Sequence, residues 1–327
     1  MRTFATFLLL GALLALTASA ADTNSAGQTN SAISATNDPV EQAYQAILED
    51  DDRAIADVTD LIQSNADLTA KGMGMTPAAV ADYIQKKVAP VRKEYEDFLL
   101  QHPEHAQAHI AFGSFLDDIN DDSAAKDQYE IAVKLDPKNP AGWNNLANAI
   151  GHTGPISNMF AYYTKAIDLN PNEPVYYENL ATVVYLYRKD GRAYYGFTND
   201  QQLFDLSLDL YRKAFKIASN DFALATELAQ TYYGITPVRT EDALNAWTNA
   251  LKIARTDLDK QGVYVHLARF KLNADRFAES HADLDKVSDP SLAELKDRLL
   301  HNLALRENPQ KPTGPPLRPT CPSGRGF

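Results

Sequence analysis

A single cysteine, Cys321, stands near the end of 327 residues, which excludes an intrachain disulfide and a structural zinc site built on several thiolates. Glycine is sparse, fifteen in all, which suits helices joined by short turns. Basic residues are outnumbered: 31 Lys and Arg stand against 43 Asp and Glu, for a formal net charge of −12, and they form no basic cluster. A nucleic-acid reader needs such a cluster to neutralise phosphates, and an acidic surface disfavours anionic membranes. Catalytic signatures are missing too: there is no G-x-S-x-G, no G-x-x-x-x-G-K-[ST] and no H-E-x-x-H. These absences point away from an enzyme and imply no cofactor.

The chain opens with Met1-Arg2-Thr3, a mostly apolar run from Phe4 to Leu16, and the small residues Ala18-Ser19-Ala20. That is the layout of a secretory signal, with cleavage expected between Ala20 and Ala21, so residues 1–20 are read as a signal peptide and the mature protein as periplasmic or secreted. The apolar run falls short of the ~20 residues of a spanning helix, so no stable membrane insertion is expected after cleavage. Residues 21–37 are small and polar and read as a flexible linker; residues 308–327, with six prolines and three glycines, read as a disordered tail.

Between these ends, 45% hydrophobic and 23% charged residues mark an ordered chain. Asp38-Pro39-Val40-Glu41 is a capped helix start, and helices are expected to about Gln63. Another should run from Thr76-Pro77 towards Gln101, broken or kinked at Pro90. From there a period of 34 appears, marked by Pro103, Pro137 and Pro171. His109, Trp143 and Tyr177 share one column, as do Phe112, Leu146 and Leu180, then Gly113, Ala147 and Ala181, and Leu116, Ile150 and Val184. Further on, Tyr129 aligns with Tyr163, and Ala132 with Ala166. Large and apolar residues three apart, followed by a small one, put a close-packing stripe on one helix face; the later alanine does the same on a second helix, which the proline ends. Such a pair cannot bury its own apolar face, so pairs must stack.

The columns W/Y-x2-L-A/G-x2-aliphatic, then Y-x2-A, then P, resemble the tetratricopeptide repeat, most closely from Trp143 to Pro171, with Met159 standing where the family usually has Ala. Val91, Tyr95 and Phe98 resemble the second helix of a half repeat. A third unit, at Tyr177, Leu180, Tyr211 and Ala214, carries 14 extra residues; Leu228, Ala229, Trp247 and Ala250 make a fourth, and Tyr264, Leu267, Ala268, Ser280, Leu284 and Val287 a weaker fifth. The resemblance implies an all-α, right-handed solenoid of antiparallel helix pairs with helical caps at both ends. Residues 38–102 then form an N-terminal helical region ending in the half repeat. Residues 103–290 form the array, with an insertion near 188–202, and residues 291–307 a capping helix with Leu292, Leu295, Leu299 and Leu303 on one stripe.

In this family the first helix of each pair lines the concave face. That nominates Asn144, Asn145, Asn148, Glu178, Asn179, Thr182, Tyr185, Gln230, Tyr233 and Arg269 as a peptide-binding groove. Asn145 and Asn179, 34 apart, resemble two rungs of the asparagine ladder of arrays that hold extended peptides, since an amide pairs with a peptide's C=O and N–H together. A groove with one Arg and no Lys argues against the carboxylate clamp of other members. The aromatic insertion (Tyr185, Tyr187, Tyr194, Tyr195, Phe197), with Gly191 and Gly196, reads as a loop whose aromatics either form a contact surface or, the favoured reading, pack onto the array, with Tyr185 facing the groove. His102, His105 and His109 read as helix-start and packing residues rather than metal ligands, and the acidic runs at Glu49 to Asp52 and Asp117 to Asp122 as solvated turns. The implied function is an exported, non-catalytic scaffold that binds a peptide segment of an envelope or secreted protein. The alternative is an accessory subunit of a glycan-handling envelope system.

Overall fold

The computed structural model describes residues 38–151 and 154–308; the signal peptide, the linker and nearly all of the tail expected from the sequence lie outside the described residues. Every regular element described is helical, and the chain divides into two compact units at Ile217/Ala218.

The first unit begins with a helical hairpin, α1 (Pro39–Ala70) and α2 (Pro77–Gln101). Asp38 accepts the Val40 N–H and Thr76 that of Ala79, each just ahead of a proline at the first helical position. Pro90 does not break α2. The carbonyl it deprives of a donor belongs to Lys86, and both residues are exposed, so water replaces the lost bond. Helix pairs follow: α3 (Ala106–Asp118) with α4 (Asp122–Leu135), and α5 (Pro140–Ile150) with α6 (Ile156–Leu169). The third pair is α7 (Pro174–Leu186) with α9 (Asp200–Ile217). The insertion between α7 and α9 is not a loop but a further helix, α8 (Arg188–Tyr195), closed by Gly196 at φ 68°. Gly191, which had read as a loop residue, is buried where a Cβ would sit 3.1 Å from Leu203.

The second unit contains α10 (Phe222–Thr231) with α11 (Thr240–Ile253), and α12 (Asp257–Asn273) with α13 (Phe277–Leu284). Thr256 and Asp259 form a full capping box on α12. It closes with α14 (Ala293–Glu307), whose Leu295, Leu299 and Leu303 join Leu272, Leu284 and Val287 in one cluster.

Small residues set the spacing within pairs. Ala147, Ala181, Ala229 and Ala268 on first helices are fully buried, as are Ala132, Ala166, Ala214 and Ala250 on second helices. Gly113 faces the Tyr129 ring so closely that a Cβ would come within 2.5 Å of it. Two turns repeat a backbone detail: Asn120 after α3 and Asp275 after α12 take positive φ, a conformation short polar residues tolerate.

Candidate functional site

A column of large residues on the second helices, Tyr95, Tyr129, Tyr163, Tyr211, Trp247 and Leu284, decides which polar groups of the first helices remain available. In the first unit every such tyrosine hydroxyl donates to a side chain of the paired helix. Tyr95 donates to Asp51 at 2.7 Å and Tyr129 to Asp117 at 2.8 Å, with Ser114 at 3.3 Å. Tyr163 donates to Asn148, and Tyr211 meets the Thr182 hydroxyl at 2.7 Å while Thr182 donates to its own helix at the Glu178 carbonyl. These hydroxyls therefore tie first helix to second, pair after pair. The acidic runs are thus not simply solvated turns: Asp51 and Asp117 sit inside α1 and α3 as acceptors. Burial, reinforced by neighbouring aspartates against the opposing tyrosine bond, holds Asp51 up at about 7 and Asp117 at about 6.

The asparagines form a second network, running between neighbouring first helices. Asn179 on α7 donates to Asn144 Oδ1 on α5 at 2.9 Å, Asn144 donates to Asn145 Oδ1 at 3.2 Å, and Asn145 reaches Ser114 on α3 at 3.5 Å. Two expectations are corrected here. Asn144 is only 2% exposed, because it lies between α5 and α7 as the acceptor for Asn179. Tyr185 is 5% exposed, packed on Phe204 with a 5.9 Å ring separation, because α8 turns back over it and Arg188 stacks above both rings. Asn145, Asn148, Glu178, Asn179 and Thr182 are half-buried. Of the insertion's other aromatics, Tyr195 packs 5.5 Å from Phe160 and Phe197 stacks on Tyr195, whereas Tyr194 lies 5.2 Å from Phe160 yet stays 42% exposed.

The histidines are held in the same way. His105 caps α3 through the Ala108 N–H, and buried His109 places one ring nitrogen 2.7 Å from Gln128 and the other 2.9 Å from the Pro103 carbonyl. No group of three His, Cys, Asp or Glu able to hold a metal occurs among the described residues.

The second unit breaks the pattern. Gln230 and Arg269 occupy the column of Ser114, Asn148 and Thr182, but the large residues opposite are Trp247 and Leu284, which carry no hydroxyl. Trp247 is 1% exposed and its indole N–H has no partner among the described residues. Gln230 is exposed, and Arg269 lies over the Tyr233 ring, 5.6 Å from its centre, with no carboxylate partner among the described residues. His266 stacks on Trp247, ring centres 4.0 Å apart and nearly parallel, and its Nδ1 stands 2.8 Å from the Tyr233 hydroxyl. Burial, then the Arg269 charge, push His266 down to about 3, so the ring paired with the Tyr233 hydroxyl is neutral. Tyr233 itself stacks on Phe270 at 4.6 Å yet stays 38% exposed. Sequence reasoning placed Gln230, Tyr233, His266 and Arg269 on first helices and Trp247 in the packing column, but did not foresee that His266 stacks on Trp247. The readable signal was the change from Tyr to Trp in the helix-B column, since an indole can only donate.

No family model and no curated protein matches the chain by sequence. Solved structures do match. The C-terminal part of a TPR repeat-containing protein from Cytophaga hutchinsonii is similar over 81% of this chain and 99% of its own, at 13% identity and a TM-score of 0.52. PilF of Pseudomonas aeruginosa is similar over 79% and 99%, at 15% identity and 0.48. YrrB, described as a TPR protein with an unusual peptide-binding site, is similar over 65% and 97%, at 14% and 0.47. At such identities the likeness concerns fold alone, and the Cytophaga structure carries it together with the paired helices and their columns: the chain has the all-α fold of a tetratricopeptide-repeat protein.

Proposed function

We propose that the protein is an exported, non-catalytic interaction scaffold that captures a polypeptide segment of an envelope or secreted partner. The observation that carries this reading is the break in the hydroxyl ties. Across α3, α5 and α7 the polar column is engaged by the protein's own second helices, whereas in the second unit the same column holds an exposed amide, Gln230, and the half-buried Arg269 guanidinium lying over the exposed Tyr233 ring. Such groups donate to peptide carbonyls, and the exposed Tyr233 ring buries apolar area at low entropic cost. The asparagine network gives the first unit a lesser role, because its amides already pair with each other. Tyr195 and Phe197 of the insertion pack on the protein's own rings, which leaves exposed Tyr194 as the one support for the glycan-binding alternative.

Peptide-library selection on the immobilised protein tests the reading, followed by titration of the selected peptides against variants. Gln230→Ala/Arg269→Ala should weaken binding at least tenfold while Asn145→Ala leaves it unchanged. The reverse ranking would return the site to the asparagine row, and no selected peptide at all would remove the scaffold reading. Export is tested apart from binding: the N-terminus of the mature protein should be Ala21, and a retained Met1 would refute it.

A further inference from the structure

Helix α14 ends against the turn between α12 and α13. Arg306, in its last turn, donates to the Leu272 carbonyl at 2.8 Å and to Asp275 at 2.6 Å. Leu272 lies three residues beyond Arg269 on α12, about 4.5 Å along the helix axis. The chain therefore leaves α14 close to the face that carries Gln230, Tyr233 and Arg269. Adding an arginine's length, that rise and the 5.6 Å from Arg269 to the Tyr233 ring, the path from Asn308 to Tyr233 is roughly 25 Å. Eight residues of extended chain, at about 3.3 Å each, cover it, and nineteen follow Asn308.

Those nineteen residues match the face in chemistry as well as in reach. Six are prolines, which offer carbonyls but no N–H, and Pro315-Pro316-Leu317 falls at the distance of Tyr233. The face supplies donors: the exposed Gln230 amide and the half-buried Arg269 guanidinium, which has no carboxylate partner among the described residues. Tyr233 is 38% exposed and the loop after it exposes Val238 at 58%, so proline and leucine side chains have an aromatic ring and apolar area to cover. Charge acts in the same sense at long range. Residues 218–308 hold 14 Asp and Glu against 11 Lys and Arg, and residues 309–327 hold three bases and no acidic side chain. We infer that residues 309–327, which lie outside the described residues, fold back over this face as its resident ligand, with Pro315-Pro316 on the Tyr233 ring. A partner segment must displace them to bind. The inference rests on this face being the binding face, and adds the class of ligand it takes: a proline-rich segment held through its carbonyls and rings. A tether of this length gives an effective concentration of about 1 mM, so a segment that binds in trans at about 100 µM weakens any competitor about tenfold when attached.

A fluorescein-labelled peptide of residues 309–327, followed by anisotropy against the full chain in reductant, tests this. Pro315→Asp/Pro316→Asp in the chain should free the face and tighten peptide binding about tenfold, with circular dichroism unchanged. Adding Gln230→Ala/Arg269→Ala to that variant should abolish the binding. Equal affinity for the wild-type chain and the Pro315/Pro316 variant would overturn the inference, as would binding that survives the Gln230/Arg269 change. A difference that appears only at high protein concentration would mean that tails are exchanged between copies, and would overturn the contact within one chain. The binding face itself is judged separately by the library selection: selected peptides lost with Gln230→Ala/Arg269→Ala would uphold it even where the tail peptide fails.

Discussion

Replacing Tyr163 and Trp247 separately by Phe asks whether the ties that organise the first unit are truly absent from the second. Tyr163 is fully buried and donates to Asn148. Loss of one such bond, with the half-buried Asn148 able to turn towards water, costs about 1 kcal/mol. Trp247→Phe removes a buried N–H that has no partner among the described residues, relieving a desolvation penalty of about 1–3 kcal/mol. It also removes roughly 40 Å³ of ring, which at about 24 cal/mol per Å³ costs about 1 kcal/mol. The two effects oppose, so the change should lie between neutral and about 2 kcal/mol stabilising, although it alters the largest fully buried side chain. Hydrogen exchange by mass spectrometry, read on peptides from α5 and α6 for one variant and α10 to α12 for the other, resolves each unit separately. The two tryptophans, Trp143 and Trp247, lie one in each unit, so fluorescence would lose its reporter in the second case. A loss of 2 kcal/mol or more in Trp247→Phe would mean that the indole N–H is bonded, and the argument from the broken pattern would fail with it.

Gly113→Ala should destabilise the first unit by about 1–3 kcal/mol despite alanine's better helix propensity, because the Tyr129 ring that the new methyl meets is itself fixed by Asp117; a thermal melt checks the direction. Lys271→Met should cost about 3 kcal/mol in urea denaturation, since Asp283 is 4% exposed and would keep only its bond to Lys286, whose side chain is half exposed. The units should respond oppositely to acid. Asp51 and Asp117 bind protons more tightly folded than unfolded, so the first unit gains stability as pH falls from about 7 towards 4. His266 binds its proton more weakly when folded, so the second unit loses stability as pH falls below 6.5 towards about 3. Exchange protection of α1 to α3 against α10 to α12 at pH 7.5 and 5, corrected for intrinsic rates, should diverge; parallel changes would contradict the assigned environments.

Period and packing were legible where one residue type answers one physical demand. The 34-residue columns name residues that are buried, Trp143 excepted, because small positions such as Gly113 lie against large ones such as Tyr129. Hydrogen-bond partners were not legible, since rotamer and neighbour decide them: Asn144 and Asn145 are adjacent in sequence, yet one is buried between helices and the other is half-buried. Gly191 and Gly196 suggested a loop, but the first sits in a helix for close packing against Leu203 and the second ends that helix. Pro90 failed as a breaker because its orphaned carbonyl faces water, which no local pattern reveals.

Helix α8 touches α6, α7 and α9 at once. An ideal repeat array is a chain of equal nearest-neighbour links, in which unfolding can begin at any joint. A staple across three successive members makes those links unequal: α6 to α9 must open together or not at all, a single large quantum within a series of small ones. The fourteen extra residues thereby convert part of a graded spring into a block.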